Sequence, residues 1–68
     1  MIIVVNGKRT DIAEGSDIGD LVKASGLDRE RVAVELNKKI VRRADWDSTT
    51  ISEGDRVEIV HFVGGGEE

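Results

Sequence analysis

The sequence predicts a two-layer α+β domain, in which a mixed sheet of four to five strands carries one main helix packed on one face. Short segments with strand-like alternation of apolar residues occur several times, whereas helical spacing of apolar residues occurs once. The 68 residues form one domain without any cysteine, so neither a disulfide nor a thiolate metal site supports the fold. Its stability must therefore come from one small hydrophobic core.

The first two strands are predicted to form a hairpin. Residues 1–5 are a continuous apolar run, which is typical of a buried strand. The dipeptide Asn6-Gly7 follows, and both residues tolerate the positive φ angles that a two-residue hairpin turn requires. The return strand, residues 8–13, is more polar and is expected at an edge of the sheet.

The helix is predicted to begin after Asp17, whose side chain caps it, with Asp20 as the second half of a capping box. Apolar residues at positions i, i+3 and i+4 then form one stripe: Ile18, Leu21 and Val22. Gly26 is expected to end the helix in the left-handed conformation. A helix this short depends on packing against the sheet.

Three further strands are predicted after the helix. Apolar residues alternate in residues 32–36, and a turn connects this strand to a short fourth strand at residues 39–42. Residues 44–50 are expected to be irregular, with Trp46 beneath the sheet. The last strand, residues 56–63, and the first are the most apolar, so we expect them side by side at the centre, which is the β-grasp arrangement.

The core is predicted to contain one inward-facing set of apolar residues: Ile3, Val5, Leu21, Val32, Val34, Ile40, Val57 and Ile59. Alternation then places Ile2, Val4, Val60 and Phe62 on the opposite face of the sheet. One short helix covers only one face, so these four residues are expected to form an exposed apolar patch for binding a protein. There are two alternatives. In one, residues 44–50 cover part of this face; in the other, the residues assigned to the core face and to the opposite face are exchanged.

Three glycines and two glutamates follow the last strand. Glycine has the greatest backbone freedom, so we expect residues 64–68 to form a flexible tail on a domain of residues 1–63. Such a thin tail suits insertion into the active site of another protein. The alternative is an inert, disordered terminus.

Several functional classes are disfavoured. The net charge of −4 argues against nucleic acid and anionic membrane surfaces as partners. Every apolar run is too short to span a bilayer, and polar residues interrupt the first run too early for a signal peptide, so a cytoplasmic location is expected. His61 is the single histidine, and neither a catalytic set nor a metal site is evident, so we expect no catalysis by this chain alone.

Four stretches, residues 4–7, 35–37, 40–46 and 58–66, resemble the ThiS family of ubiquitin-like sulfur carriers in thiazole (thiamin) biosynthesis. The resemblance covers the whole chain, and the terminal stretch is its most specific part. Arg43 and Trp46 match an arginine and a tryptophan that recur after the fourth strand of the family. Arg42 stands where a proline is often found.

The resemblance implies that an E1-like adenylating enzyme (ThiF) activates the terminal glycine carboxylate with ATP. Sulfur then displaces AMP and leaves a thiocarboxylate, which thiazole synthase (ThiG) uses; the carrier binds no stable cofactor. Matched by position, Gly66 is the acyl carrier residue, and Gly65 is the preceding residue, which has no side chain to obstruct the acyl carbon. The expected partner-binding residues are Val60, Phe62, Ile2, Val4, Arg43 and Gly64.

One departure from the family is that Glu67 and Glu68 follow the glycine. We expect either that a peptidase removes them or that they were added to the natural sequence. Two other functions remain open, a carrier like the small subunit of molybdopterin synthase and a β-grasp interaction module with an inert tail.

Overall fold

The computed structural model describes residues 1–62, which form a five-stranded mixed sheet with one main helix on one face. The elements in chain order are β1 (Ile2–Val5), β2 (Lys8–Asp11), α1 (Ile18–Ala24), β3 (Val32–Leu36), β4 (Lys39–Val41), a 3₁₀ helix (Arg43–Ser48) and β5 (Arg56–His61). The strand order is β2-β1-β5-β3-β4, with β5 parallel to β1 and antiparallel to β3. The predicted fold class is therefore confirmed, and the first and last strands do lie side by side.

Both hairpin turns use left-handed backbone conformations, as two-residue turns of this type require. Asn6 and Gly7 have φ angles of 50° and 81°, and Asn37 and Lys38 have φ angles of 51° and 72°. The Asn6 side chain also extends the β1–β5 pairing beyond the turn: its Oδ1 accepts from the Ile59 N–H (2.7 Å), and its Nδ2 donates to the Ile59 carbonyl oxygen (3.3 Å).

The helix has the predicted ends. The Asp17 side chain accepts from the Asp20 N–H (2.7 Å), and the Asp20 side chain accepts from the Asp17 N–H (3.0 Å), which completes the capping box. Gly26 has a φ of +73°, and the next N–H, of Leu27, returns to the Val22 carbonyl (3.3 Å). Local sequence signals therefore determined both ends of α1.

The core lies between the helix-bearing face of the sheet and the two helices. Its buried members are Ile3, Ile18, Leu21, Val22, Val32, Val34, Trp46, Ile51, Val57 and Ile59. Six of the eight predicted core residues are among them, and Val5 is half-buried against the cluster. Trp46 is buried as predicted, whereas Ile51 was not anticipated.

Ile40 was assigned to the core, and that prediction is wrong, because 72% of the residue is exposed. In the β3–β4 pairing Ile40 lies opposite Glu35, on the face that points away from α1. Val41, the next residue, takes the inward position opposite Val34. A shift of one residue along a strand exchanges the two faces, so the error reflects the register of this short edge strand.

The observed strands are shorter than predicted at their ends. The second strand ends at Asp11 instead of residue 13, and the fourth at Val41 instead of residue 42. The last strand ends at His61. The predicted boundary between domain and tail falls at residue 63, outside the described residues.

Candidate partner-binding face

The face of the sheet that points away from α1 is called the open face here. Alternation along β5 separates the two faces sharply: Val57 and Ile59 are 0% and 9% exposed, whereas Val60 is 54% exposed. Phe62 continues the outward series just after the strand and is 47% exposed. Together with Ile40, these are the large hydrophobic residues that residues 1–62 expose. The sequence-based assignment of Val57 and Ile59 to the core face, and of Val60 and Phe62 to the opposite face, is therefore confirmed.

The predicted apolar patch is not continuous. In the parallel pairing Val4 lies beside Arg56, and Val60 follows Arg56 by four residues, which is about 13 Å along the strand. Arg56 and Glu58 occupy the outward positions between them. Ile2 and Val4 are also half-buried, unlike Val60 and Phe62. The expectation of a single patch is wrong because β1 pairs with the beginning of β5, whereas Val60 and Phe62 lie at its end.

Arg43, the polar residue predicted to bind a partner, is engaged within the fold. Its Nε donates to the Arg29 carbonyl (2.6 Å) and its Nη2 to the Val32 carbonyl (3.2 Å). Its guanidinium carbon lies 5.5 Å from the centre of the Trp46 ring, and that of Arg29 lies 5.1 Å from it. These contacts give the paired arginine and tryptophan a structural role that needs no partner.

Trp46 itself joins the 3₁₀ helix to the sheet. Its Nε1 donates to the Val41 carbonyl (2.9 Å), so the one polar atom of this buried ring is satisfied. Nearby, Gly19 is buried in the first turn of α1, and a Cβ there would collide with Oδ1 of Asp47. The absence of a side chain at residue 19 therefore allows α1 and the 3₁₀ helix to approach closely.

The predicted acyl carrier Gly66, its neighbours Gly65 and Gly64, and Val63 lie outside the described residues. Strand β5 leads to these residues. Its pairing with the β3 side continues to Phe62, whose N–H donates to the Arg31 carbonyl (2.8 Å). His61 is exposed and lies opposite Val32 at the rim of the sheet. The structure therefore describes the base of the proposed reactive tail and the surface beside it.

Two other kinds of functional feature are absent from residues 1–62. In that part of the chain, no three histidine, aspartate or glutamate side chains are arranged to hold a metal ion. Neither helix in this part of the chain has the length and hydropathy of a bilayer-spanning segment. A shallow cavity of about 170 Å³ lies between α1 and the segment that follows it, lined by Gly19, Val22, Lys23, Leu27 and Arg29.

Comparison with known proteins gives three consistent matches. The model of the ThiS family matches residues 3–66. The sulfur carrier protein ThiS of Bacillus subtilis is 37% identical over 68 residues, which cover 96% of this chain and 100% of that protein. The crystal structure of the thiamine biosynthesis protein (ThiS) from Geobacter metallireducens superimposes with a TM-score of 0.83 and 39% identity, covering 97% of this chain and 100% of that one.

A further relative is much longer. A thiazole synthase from Magnetococcus marinus is 37% identical over 67 residues, which cover 98% of this chain. The chain spans 21% of the length of that thiazole synthase.

Proposed function

Because the chain belongs to the ThiS family, the sulfur carriers of thiamin biosynthesis, we propose that its Gly66 carboxylate is converted to a thiocarboxylate that donates sulfur for thiazole formation. The observation that carries this proposal is the extent of the family match, which continues through the glycines to residue 66. In this role the chain is a carrier on which other enzymes act.

The chemistry follows from the reactivity of a carboxylate. A free carboxylate is a poor acyl electrophile, so an E1-like adenylating enzyme first joins the Gly66 carboxylate to AMP and releases pyrophosphate from ATP. A sulfur nucleophile then forms a bond to the acyl carbon while AMP leaves. Gly64 and Gly65 present that carbon without side chains, which suits a narrow channel in the adenylating enzyme.

Thiazole synthase is the proposed acceptor of the sulfur. A stretch similar to this chain forms 21% of one protein of that name, which supports an association between the two. Val60 and Phe62, which are exposed beside the base of the tail, are proposed to contact the partners. Ile2, Val4 and Arg43 were also predicted to bind a partner. A role in binding is less well supported for them, because Ile2 and Val4 are half-buried and Arg43 donates hydrogen bonds within the fold.

Glu67 and Glu68 add one requirement. In the 68-residue chain the Gly66 carbonyl is part of a peptide bond, and an unstrained amide is a far weaker acyl donor than an adenylate. We therefore include a peptidase that cleaves after Gly66 among the proposed partners.

Intact-mass analysis tests this proposal. Protein ending at Gly66 is incubated with the adenylating enzyme, ATP and a sulfur source, and it should gain the mass difference between sulfur and oxygen. The 68-residue chain is the matched control and should remain unchanged. Conversion of the longer chain without loss of its two glutamates would contradict the role assigned to the Gly66 carboxylate.

The alternative of a molybdopterin-synthase-like carrier has the same tail chemistry but a different acceptor. The Bacillus and Geobacter relatives, at 37% and 39% identity, favour thiazole formation. An inert interaction module predicts that even the chain ending at Gly66 gains no mass, so the same experiment separates it from both carriers.

A further inference from the structure

The end of β5 has a main-chain neighbour on one side only. On the β1 side, the parallel pairing stops at Val57, because β1 ends opposite it and the chain turns away at residues 6–7. On the β3 side, pairing continues to His61, and the Phe62 N–H donates to the Arg31 carbonyl (2.8 Å) beyond it. Within the described part of the chain, the end of β5 therefore has a strand beside it on the β3 side and none on the β1 side.

The Asn6 side chain occupies the place of the missing neighbour. The Asn6 main-chain N–H donates to the Val57 carbonyl (2.8 Å), which ends the main-chain pairing of β1 with β5. Two residues farther along β5, the Asn6 amide bonds to both main-chain groups of Ile59. Its Oδ1 accepts from the N–H (2.7 Å), and its Nδ2 donates to the carbonyl oxygen (3.3 Å). A side-chain amide can replace a peptide unit in this way because it offers both an acceptor and N–H donors.

We propose that Asn6 is a positioning residue for the adenylation of Gly66, because it fixes the direction in which the chain leaves β5. This inference rests on the proposed function, which supplies the reaction. A strand bonded on one side only can pivot about its single neighbour, whereas a strand bonded on both sides has one orientation. A fixed exit direction lowers the conformational entropy that is lost when the acyl carbon enters the site of the adenylating enzyme.

The expected size of this effect follows from the length of chain between the sheet and Gly66. With Phe62 bonded to β3, residues 63–66 lead from the last fixed residue to the acyl carbon. If the end of β5 were released back to Val57, this connection would lengthen to residues 58–66. Effective concentration falls roughly as the −3/2 power of tether length, so the release would lower it about threefold. Loss of the Asn6 amide should therefore slow adenylation by about that factor.

Asn37 provides a matched control, because it makes the same kind of contact at the other end of β5. Both asparagines are the first residue of a two-residue hairpin turn, with φ angles of 50° for Asn6 and 51° for Asn37. The Asn37 Oδ1 accepts from the Arg56 N–H (2.9 Å), and Arg56 is the first residue of β5. Glycine at either position retains the turn and removes a side-chain contact with β5. Only Asn6→Gly removes the contact at the end of β5 that leads to Gly66.

The first test measures adenylation of the chain that ends at Gly66 by an E1-like adenylating enzyme from the same organism. The readout is the first-turnover rate of pyrophosphate release at a saturating concentration of the carrier. Asn6→Gly should lower this rate about threefold, and Asn37→Gly should leave it unchanged. A carrier that is only less stable supplies less folded protein. Lower stability therefore raises the concentration needed for saturation and leaves the saturated rate unchanged.

The second test is hydrogen exchange of the 68-residue protein, which needs no enzyme. Asn6→Gly should accelerate exchange of the Phe62 amide relative to the Asn37 amide, which donates to the Arg56 carbonyl (2.8 Å) at the start of β5. The Phe62 amide is bonded to Arg31 and not to Asn6, so faster exchange there reports release of the strand end. A general loss of stability would accelerate both amides by the same factor.

Three results would overturn the inference and leave the proposed function in place. They are an unchanged adenylation rate in Asn6→Gly, an equal loss of rate in both glycine variants, and unchanged exchange at Phe62. If the unsubstituted chain ending at Gly66 releases no pyrophosphate, the proposed function fails, and this inference fails with it. The two failures are distinguishable because the unsubstituted chain is measured in the same assay.

Discussion

The two faces of the sheet share the same strands but meet different surroundings. On one face Ile3, Val57 and Val34 are almost fully buried beneath α1 and the 3₁₀ helix. On the other, Ile40, Val60 and Phe62 remain between 47% and 72% exposed. Apolar residues on the first face stabilise the fold, whereas those on the second face are accessible to a partner. Hydrophobicity alone therefore does not tell which of the two roles a residue has.

The largest expected effect is a difference in the free energy of unfolding between substitutions on the two faces. Leu21, 4% exposed on α1, packs against the closed face, and Leu21→Ala should lower the free energy of unfolding by about 2–5 kcal/mol through lost burial and a cavity. Ile40→Ala removes a similar aliphatic side chain from the open face and should change it by less than about 0.5 kcal/mol. Urea denaturation measures both. An unchanged midpoint for Leu21→Ala would show that the helix does not contribute to the core.

The second expected effect appears in binding. Phe62 is exposed beside the base of the tail, so Phe62→Ala should weaken binding to the adenylating enzyme about tenfold, while the fold stays intact. Calorimetric titration gives the affinity, and circular dichroism gives the stability. If this variant unfolds instead, Phe62 belongs to the core, and the comparison between the faces fails at the end of β5.

The smallest expected effect concerns the contact that holds β1 and β5 in register. Asn6→Gly retains the left-handed turn but removes both hydrogen bonds to Ile59, so it should lower stability by about 1 kcal/mol. Lys38→Gly is the matched control, since it places glycine at a left-handed position (φ 72°) of the other hairpin turn. That control should be neutral or slightly stabilising. Thermal unfolding measures both, and equal effects would show that the Asn6 amide contributes nothing beyond the turn.

Much of the local structure could be predicted because neighbouring residues decide it. The Asn6-Gly7 turn, the capping box of Asp17 and Asp20 and the stop at Gly26 all appear as expected. The faces that the β5 residues occupy were also predictable, since polar and apolar residues alternate from Arg56 to Ile59. The short fourth strand offered no such pattern, and Ile40 was therefore assigned to the wrong face.

The candidate site was less predictable, because its geometry depends on which strands pair and in what register. The sequence did not reveal that Val4 lies beside Arg56, that Asn6 bonds to Ile59, or that Arg43 bonds to the carbonyls of Arg29 and Val32. Each of these contacts joins residues distant in the chain. The contact between Asn6 and Ile59 in particular has no signal in a linear pattern.

The sequence by itself determined the α+β class, the ends of the helix, the hairpin turns and the glycines proposed to carry the acyl group. These features follow from backbone preferences, local hydrogen bonds and covalent order, which act over a few residues. Only the tertiary structure decided that the predicted apolar patch is divided, that Ile40 is exposed and that the Asn6 side chain lies beside Ile59. Those outcomes depend on strand register, which the packing of the whole core selects, because a shift of one residue would exchange the buried and exposed faces.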